Sequence, residues 1–160
     1  SKEAKNQIIK SQTKGLKPQQ LWYLFCEMDL KKSKNLTPRI KVIQKLYNSL
    51  MNPGTVIDYP KSQYRKFIKD VVTGTLERTE LIEDAINTHL SNDINLKKTD
   101  KLLKIILFAA LFELMFKHHT PKKVIISEYL IASEHFLEKI QIGYLNAILD
   151  KIAKILRKDE

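Results

Sequence analysis

Few side chains in this chain suggest chemistry, and the most suggestive are two neighbouring histidines. His118 and His119 end a long apolar stretch, while His89 and His135 lie elsewhere in the sequence. A zinc site needs three or four ligands at helical or turn spacing, whereas adjacent histidines point to different sides of a helix. At a helix C-terminus, such histidines interact favourably with the helix dipole. We therefore predict no metal site.

The single cysteine, Cys26, carries no nucleophile motif around it. It cannot form an intramolecular disulfide, which fits a reducing compartment. The chain also lacks the GxGxxG, Walker and HExxH motifs. Because it has only 4 glycines, a phosphate-cradling loop is nearly excluded. These features predict a protein that is not an enzyme and uses no cofactor. No signal-peptide pattern is visible, so the cytoplasm is the expected location.

Positive charge is concentrated near the beginning of the chain. Lysine and arginine number 28 against 18 acidic residues, giving a net charge of +10. The first 45 residues hold ten lysines and Arg39 but only three acidic residues. Such a basic arm suits a polyanion, most often nucleic acid and less often an anionic membrane surface or an acidic protein. A lysine-rich tail that is merely solvated is the alternative.

The scarcity of glycine and proline predicts an all-α protein. Residues 1–35 form a basic extension with one aromatic helix, in which Trp22 and Tyr23 could stack on bases or pack against the body. The next helix starts at Thr37 as N-cap, with Pro38 in the first turn. Helical patterns resume near residue 59, with Gly74 as a weak point. A further helix is predicted over 121–139, and a last one from about residue 140.

The stretch from Leu102 to Pro121 is apolar nearly all round. Its first fifteen residues contain only two charges, Lys104 and Glu113. As a helix they span about 22 Å, which is too short for a hydrocarbon layer of roughly 30 Å. We therefore predict a buried central helix, capped by Thr99 or Asp100. Glu113 lies deep in this helix and should need a hydrogen-bond or charge partner.

Three blocks of sequence together resemble the NusB family of transcription antitermination factors. The first is RIKVIQKLY, which begins at Arg39, and the second is FIKDVVTG, which ends at Gly74. The third combines ILFAALFEL, PKKVIISE and YLNAILDKIA, the last of which begins at Tyr144. The resemblance covers about residues 39–156, and it is the order of the blocks that makes it specific.

This resemblance implies an all-α fold of about seven helices. Residues 36–160 would form the NusB-like domain, with helical subdomains at 36–95 and 96–160. It also implies a non-enzymatic role in which the protein binds boxA-type single-stranded RNA. The implied partners are a NusE-type small-subunit ribosomal protein and the transcription elongation complex, during ribosomal RNA synthesis, with no membrane.

The resemblance also suggests which residues contact RNA. Arg39 matches an arginine of the family's basic segment, and Tyr144 matches an aromatic residue that contacts RNA. Lys31, Lys32 and Lys34 stand where the family usually has arginines. Cationic side chains supply salt-sensitive phosphate binding, and a ring beside a groove can stack on an unpaired base. Tyr144 could instead simply cover the end of its helix.

One departure from the family concerns the ribosomal-protein contact. An acidic residue expected at the start of the central helix is replaced by Leu103, with Asp100 nearly one turn away.

Two other roles for the chain stay open. The chain could be the accessory domain of a ribosomal RNA methyltransferase, or a protein-interaction adaptor that uses the LWYLFCEM helix and has lost RNA binding.

Overall fold

The computed structural model describes residues 37–160, and these contain helices and no strand. The described helices are α1 (Pro38–Met51), α2 (Arg65–Glu77), α3 (Thr79–His89), α4 (Lys101–Phe116), α5 (Lys122–Ser133) and α6 (Lys139–Leu156). The expected all-α fold is thereby confirmed. The aromatic helix expected in the N-terminal extension lies outside the described residues.

Helix α4 is the central element, as its apolar sequence predicts. It contacts each of the other five described helices. Eleven of its 16 residues are buried, including Glu113. Buried side chains from all six helices form one continuous hydrophobic cluster around it. The division into subdomains at residue 95 stays an interpretation.

The helix starts predicted at Thr37 and before the central helix are confirmed, whereas the helix expected from near residue 59 begins only at Arg65. The Thr37 side chain accepts a hydrogen bond from the backbone N–H of Arg39 at 3.1 Å. Asp100 caps α4 by accepting from the N–H of Leu103 at 3.3 Å. Such caps satisfy N–H groups that have no partner inside the helix. The choice between Thr99 and Asp100 is therefore decided for Asp100.

Gly74 does not interrupt α2. The break between α2 and α3 falls one turn later, at Arg78. Gly74 instead allows α2 to approach α4 closely. A Cβ atom at this position would lie 2.2 Å from Cζ of Phe112. The glycine is thus required by packing between helices rather than by a turn.

The helix predicted over residues 121–139 is longer than the helix in the structure. Helix α5 ends at Ser133, and Glu134, His135 and Phe136 then donate backbone hydrogen bonds to carbonyls three residues earlier. This tight turn separates α5 from α6, which starts with a capping box between Glu138 and Gln141. Apolar spacing alone did not reveal the turn, since apolar residues continue through it.

No helix within residues 37–160 combines the length and the apolar character needed to cross a membrane. Helix α4, the most apolar one, has 16 residues and is enclosed by its neighbours. Its hydrophobicity therefore belongs to the protein core.

Candidate functional site

Tyr144 lies in the first half of α6, and the residue is 40% exposed. Its hydroxyl donates a hydrogen bond to the backbone carbonyl of Asp93, in the loop before α4. Partial burial raises the pKa of the Tyr144 hydroxyl, and the nearby Asp93 carboxylate adds to the rise. The hydroxyl therefore stays protonated as a donor, and the ring is held in place with a large part of its surface in solvent.

Asp93 ties its loop to α6 a second time. Its carboxylate lies 2.6 Å from the Nζ atom of Lys151, two turns beyond Tyr144. Both side chains are partly exposed, so this ion pair contributes little to the free energy of unfolding. Its effect is geometric, because it places the loop beside Tyr144.

Tyr144 lines a pocket of about 300 Å³ between this loop, the start of α4 and the start of α6. The other lining residues are Asn95, Lys98, Thr99, Asp100, Leu103 and Gln141. They supply amide, hydroxyl and ammonium groups next to an aromatic ring. Such a set can stack on one base, hydrogen-bond to its edge and neutralise a phosphate. We call this cavity the Tyr144 pocket.

A second cavity of about 540 Å³ shares Asn95 with the Tyr144 pocket. Lys97 and Lys104 line it, as does Glu83 from α3. Lys97, Lys98 and Lys104 were not singled out from the sequence as site residues. Their positive charge could have been read there, but not that they line these two cavities, Lys98 together with Tyr144.

Leu103, which replaces the expected acidic residue, is only 3% exposed and belongs to the core. Asp100 is exposed and lies at the N-cap of the same helix. Both residues line the Tyr144 pocket. A carboxylate is thus present at this end of α4, one turn before the position where the sequence comparison expected it.

Arg39 occupies a different environment from Tyr144. Its guanidinium donates two hydrogen bonds to the carboxylate of Glu113, at 2.7 and 3.0 Å, and Glu113 itself is 0% exposed. The guanidinium carbon also lies 4.9 Å from the ring centre of Phe67 and 5.5 Å from that of Tyr129. The partner predicted for Glu113 therefore exists and is Arg39, which is itself only 8% exposed.

The protonation states around this ion pair follow from its burial. Burial opposes the charge of Arg39, but the hydrogen bond and the charge of Glu113 outweigh it, so the pKa of Arg39 is raised. Burial, followed by the charge of Glu113, raises the pKa of Tyr129 well above its ordinary value. The cluster is therefore an ionised pair beside a neutral phenol.

The candidate RNA-binding residues do not form one cluster. Arg39 contacts Glu113 near the end of α4, whereas Tyr144 lies beside Leu103 near its start. Ten residues of helix separate these two positions, which is about 15 Å. Lys31, Lys32 and Lys34 lie outside the described residues.

The histidine pair shows no metal-site geometry. His118 and His119 are exposed after the end of α4. Within residues 37–160, no group of three or more His, Cys, Asp or Glu side chains is placed to hold a metal ion.

Comparison with protein-family models decides the family. The model of the NusB family matches residues 24–154, which is well over half of the chain. The chain belongs to the NusB family. This agrees with the order of sequence blocks around Arg39, Gly74 and Tyr144.

The similar curated proteins carry the name of transcription antitermination protein NusB, a role that is not enzymatic. NusB of Nitrobacter hamburgensis is 35% identical over 94 residues, which cover 59% of this chain and 59% of the relative. NusB of Rickettsia massiliae is 31% identical over 117 residues, covering 71% and 75%. The chain therefore spans less than two thirds of the length of the Nitrobacter relative and 75% of the length of the Rickettsia relative.

Among solved structures, NusB of T. maritima has the same fold. The TM-score is 0.64 at 21% identity, and the match covers 76% of this chain and 93% of the other. At this identity the likeness concerns the fold alone.

Proposed function

We propose that the protein is a cytoplasmic transcription antitermination factor that binds boxA-type single-stranded RNA. In this proposal it acts with a NusE-type ribosomal protein on the transcription elongation complex during ribosomal RNA synthesis. Membership of the NusB family and the names of the relatives support the general role. The observation that carries RNA binding is the exposed, tethered ring of Tyr144 at the edge of a polar pocket.

Tyr144 is proposed to stack on one unpaired base. Its ring is prepared for stacking because the hydrogen bond to Asp93 already restricts it before RNA arrives. Less conformational entropy is then lost on binding. The amides of Asn95 and Gln141 lie in the same pocket and could read the base edge. Lys98 would neutralise an adjacent phosphate.

Two substitutions at Tyr144 test the contributions of its ring and of its hydroxyl separately. Tyr144→Ala should weaken binding of a boxA-type RNA by about 1–3 kcal/mol, the usual contribution of one stacked base. Tyr144→Phe keeps the ring and should lose much less. Fluorescence anisotropy with labelled boxA-type RNA, with and without the NusE-type protein, measures both.

A scrambled RNA of equal length serves as the control for sequence preference. The proposal fails if boxA-type RNA binds no better than scrambled RNA in the presence of the ribosomal protein. The stacking assignment alone fails if Tyr144→Ala and the parent protein bind boxA-type RNA equally well.

The ribosomal-protein contact is proposed to use Asp100 in place of the acidic residue that Leu103 replaces. Asp100→Asn removes the charge but retains a good N-cap, so the helix should keep its stability. We expect this variant to bind the NusE-type protein several-fold more weakly while its affinity for RNA alone does not fall. Unchanged affinity in a calorimetric titration with the NusE-type protein would exclude Asp100 as the substitute.

For Arg39, the surroundings favour an indirect contribution. Arg39 is 8% exposed and its guanidinium is hydrogen-bonded to Glu113, so it offers a phosphate little surface. We propose that Arg39 holds α1 against α4 and thereby supports the chain that precedes α1. We call Lys31, Lys32 and Lys34 in that part of the chain the lysine segment. Direct phosphate contacts are then left to Lys31, Lys32 and Lys34.

A further inference from the structure

A small cavity between α1 and the start of α2 has no role in the site described so far. Its volume is about 130 Å³. Its lining residues are Lys41, Lys45, Tyr59, Pro60, Ser62, Arg65 and Ile68. None of them lines the Tyr144 pocket. We call it the α1–α2 cavity.

The α1–α2 cavity is strongly cationic. Three of its seven lining residues carry positive charge and none carries negative charge. The surrounding sequence, residues 41–70, holds six lysines and arginines but only two acidic residues, Asp58 and Asp70, which do not line the cavity. Within residues 37–160, Lys41 and Arg65 make no ion pair. Unneutralised cations around a recess attract an anion.

The start of α2 adds to this positive potential. The helix begins at Arg65, and Tyr64 at its N-cap makes no side-chain cap hydrogen bond. The first N–H groups of a helix carry partial positive charge and bind anionic groups well. The Ser62 hydroxyl, which also lines the cavity, can donate a further hydrogen bond.

Size and neighbours indicate which anion fits. A volume of 130 Å³ is about four times the ~30 Å³ that a water molecule occupies in the liquid, enough for one phosphate group but not for a nucleoside. Tyr64, next to Arg65 in the chain, is an aromatic residue that is 45% exposed. A free phosphate or a lipid headgroup would not use such a ring, whereas a base attached to the bound phosphate could stack on it.

The α1–α2 cavity is close in sequence to the lysine segment, which consists of Lys31, Lys32 and Lys34. Lys34 is seven residues before Lys41, so their Cα atoms lie within about 25 Å of each other in any arrangement. A polyanion longer than this distance can therefore contact both Lys34 and the α1–α2 cavity.

We infer that the α1–α2 cavity binds a backbone phosphate of single-stranded RNA, in a second contact that is independent of base sequence. The inference rests on the proposed RNA binding but concerns another surface from the Tyr144 pocket. Lys41 and Arg65 neutralise the phosphate, and Tyr64 supports the adjoining base. Such a contact extends the bound length of RNA and adds affinity without selecting a sequence.

The test removes two charges in the full chain and compares them with two charges elsewhere. The double variant Lys41→Gln/Arg65→Gln removes two of the three positive charges that line the cavity and leaves Lys45 in place. The matched control Lys154→Gln/Lys158→Gln lowers net charge equally at exposed positions at the end of α6. Fluorescence anisotropy with labelled boxA-type and scrambled single-stranded RNAs is recorded over a range of salt concentrations.

For single-stranded RNA, each lost phosphate contact lowers the slope of log affinity against log salt by about 0.7. We expect the cavity variant to lose about 0.7 of slope, the value for one phosphate contact, and to bind both RNAs several-fold more weakly by the same factor. The control should stay close to the parent protein. A cavity variant with the parent's slope, or a control that loses as much, would overturn the inference.

Two further outcomes separate the competing explanations. If boxA-type RNA is not preferred over scrambled RNA, the proposed function fails, and the slope comparison still tests the cavity. Sedimentation with vesicles of phosphatidylserine and phosphatidylcholine tests a lipid ligand. If the cavity variant loses binding to these vesicles and keeps its full affinity for RNA, the site belongs to a membrane surface and the inference is wrong.

Discussion

At the scale of single residues, Arg39 and Glu113 show how one ion pair can join two distant parts of the chain. The two residues are 74 positions apart, and their side chains form two hydrogen bonds in the core. Since Glu113 is fully buried, its charge depends on the arginine for compensation. Loss of one partner of such a pair leaves an unpaired charge, which costs far more than loss of both.

Replacement of Arg39 should therefore destabilise the protein strongly. We expect Arg39→Met to lower the free energy of unfolding by about 3–5 kcal/mol, and the double variant Arg39→Met/Glu113→Leu to recover most of this loss. Urea unfolding of the full chain measures both. Arg78→Met is the matched control. The guanidinium of Arg78 also lies over aromatic rings, those of Phe112 and Phe116, but its side chain is 40% exposed. This variant should lower the free energy of unfolding by about 1 kcal/mol. A double variant as unstable as Arg39→Met would contradict this account.

The same pair illustrates what the sequence could and could not predict at this scale. One carboxylate deep in a fifteen-residue apolar stretch indicated that a partner was required. The identity of the partner was not predictable, because any of many lysines and arginines could have supplied the charge. Arg39 was interpreted instead through its family position, as an RNA ligand, whereas its burial against Glu113 favours the indirect role proposed above.

At the scale of elements, the close approach of α2 and α4 depends on Gly74. Its missing side chain leaves room for the ring of Phe112, which also packs against Phe116 at a centroid distance of 5.5 Å. A ring constrained by Phe116 and by the overlying Arg78 cannot move aside freely. Added volume at Gly74 must therefore displace either the ring or a helix.

The two glycines that lie in helices of the described part of the chain, Gly74 and Gly143, give a matched pair of tests. Gly74→Ala should lower the free energy of unfolding by about 1–3 kcal/mol through overpacking. Gly143→Ala, in α6, has nothing within 4 Å of its new Cβ atom and should instead stabilise by about 0.4–1 kcal/mol. Thermal unfolding of both variants under identical conditions checks the opposite signs. A stabilising Gly74→Ala would show that the ring yields more easily than expected.

Helix ends were predictable where their signals are local. Thr37 with Pro38 was predicted, and the cap of α4 was narrowed to Thr99 or Asp100, because such caps act through hydrogen bonds within three residues. The end of α5 at Ser133 was missed, since the turn that follows contains no glycine or proline. It is held by backbone hydrogen bonds and by the packing of Leu137 into the core.

At the scale of the whole molecule, the uneven charge distribution should govern RNA binding. Lys31, Lys32 and Lys34 precede α1, and the α1–α2 cavity continues the positive charge onto the folded body. The Tyr144 pocket, by contrast, mixes amides, one lysine and one carboxylate. Affinity and base selection are thus expected to come from different surfaces.

The lysine segment offers the corresponding test. Changing Lys31, Lys32 and Lys34 to glutamine should reduce the slope of log affinity against log salt by about 2, at roughly 0.7 per phosphate contact. The preference for boxA-type over scrambled RNA should change much less than the affinity. Anisotropy titrations at several salt concentrations measure both quantities. An unchanged slope would assign these lysines to a solvated tail.

The sequence by itself determined the all-α class, the buried role of α4 and the family, because each of these is carried by spacing and order along the chain. Local caps and the absence of catalytic motifs were equally accessible. Only the tertiary structure decided that Arg39 compensates Glu113, that Gly74 admits Phe112 and that Tyr144 shares a pocket with Asp100. These facts depend on which surfaces meet when helices pack, and contacts between residues tens of positions apart leave no local pattern in a single sequence.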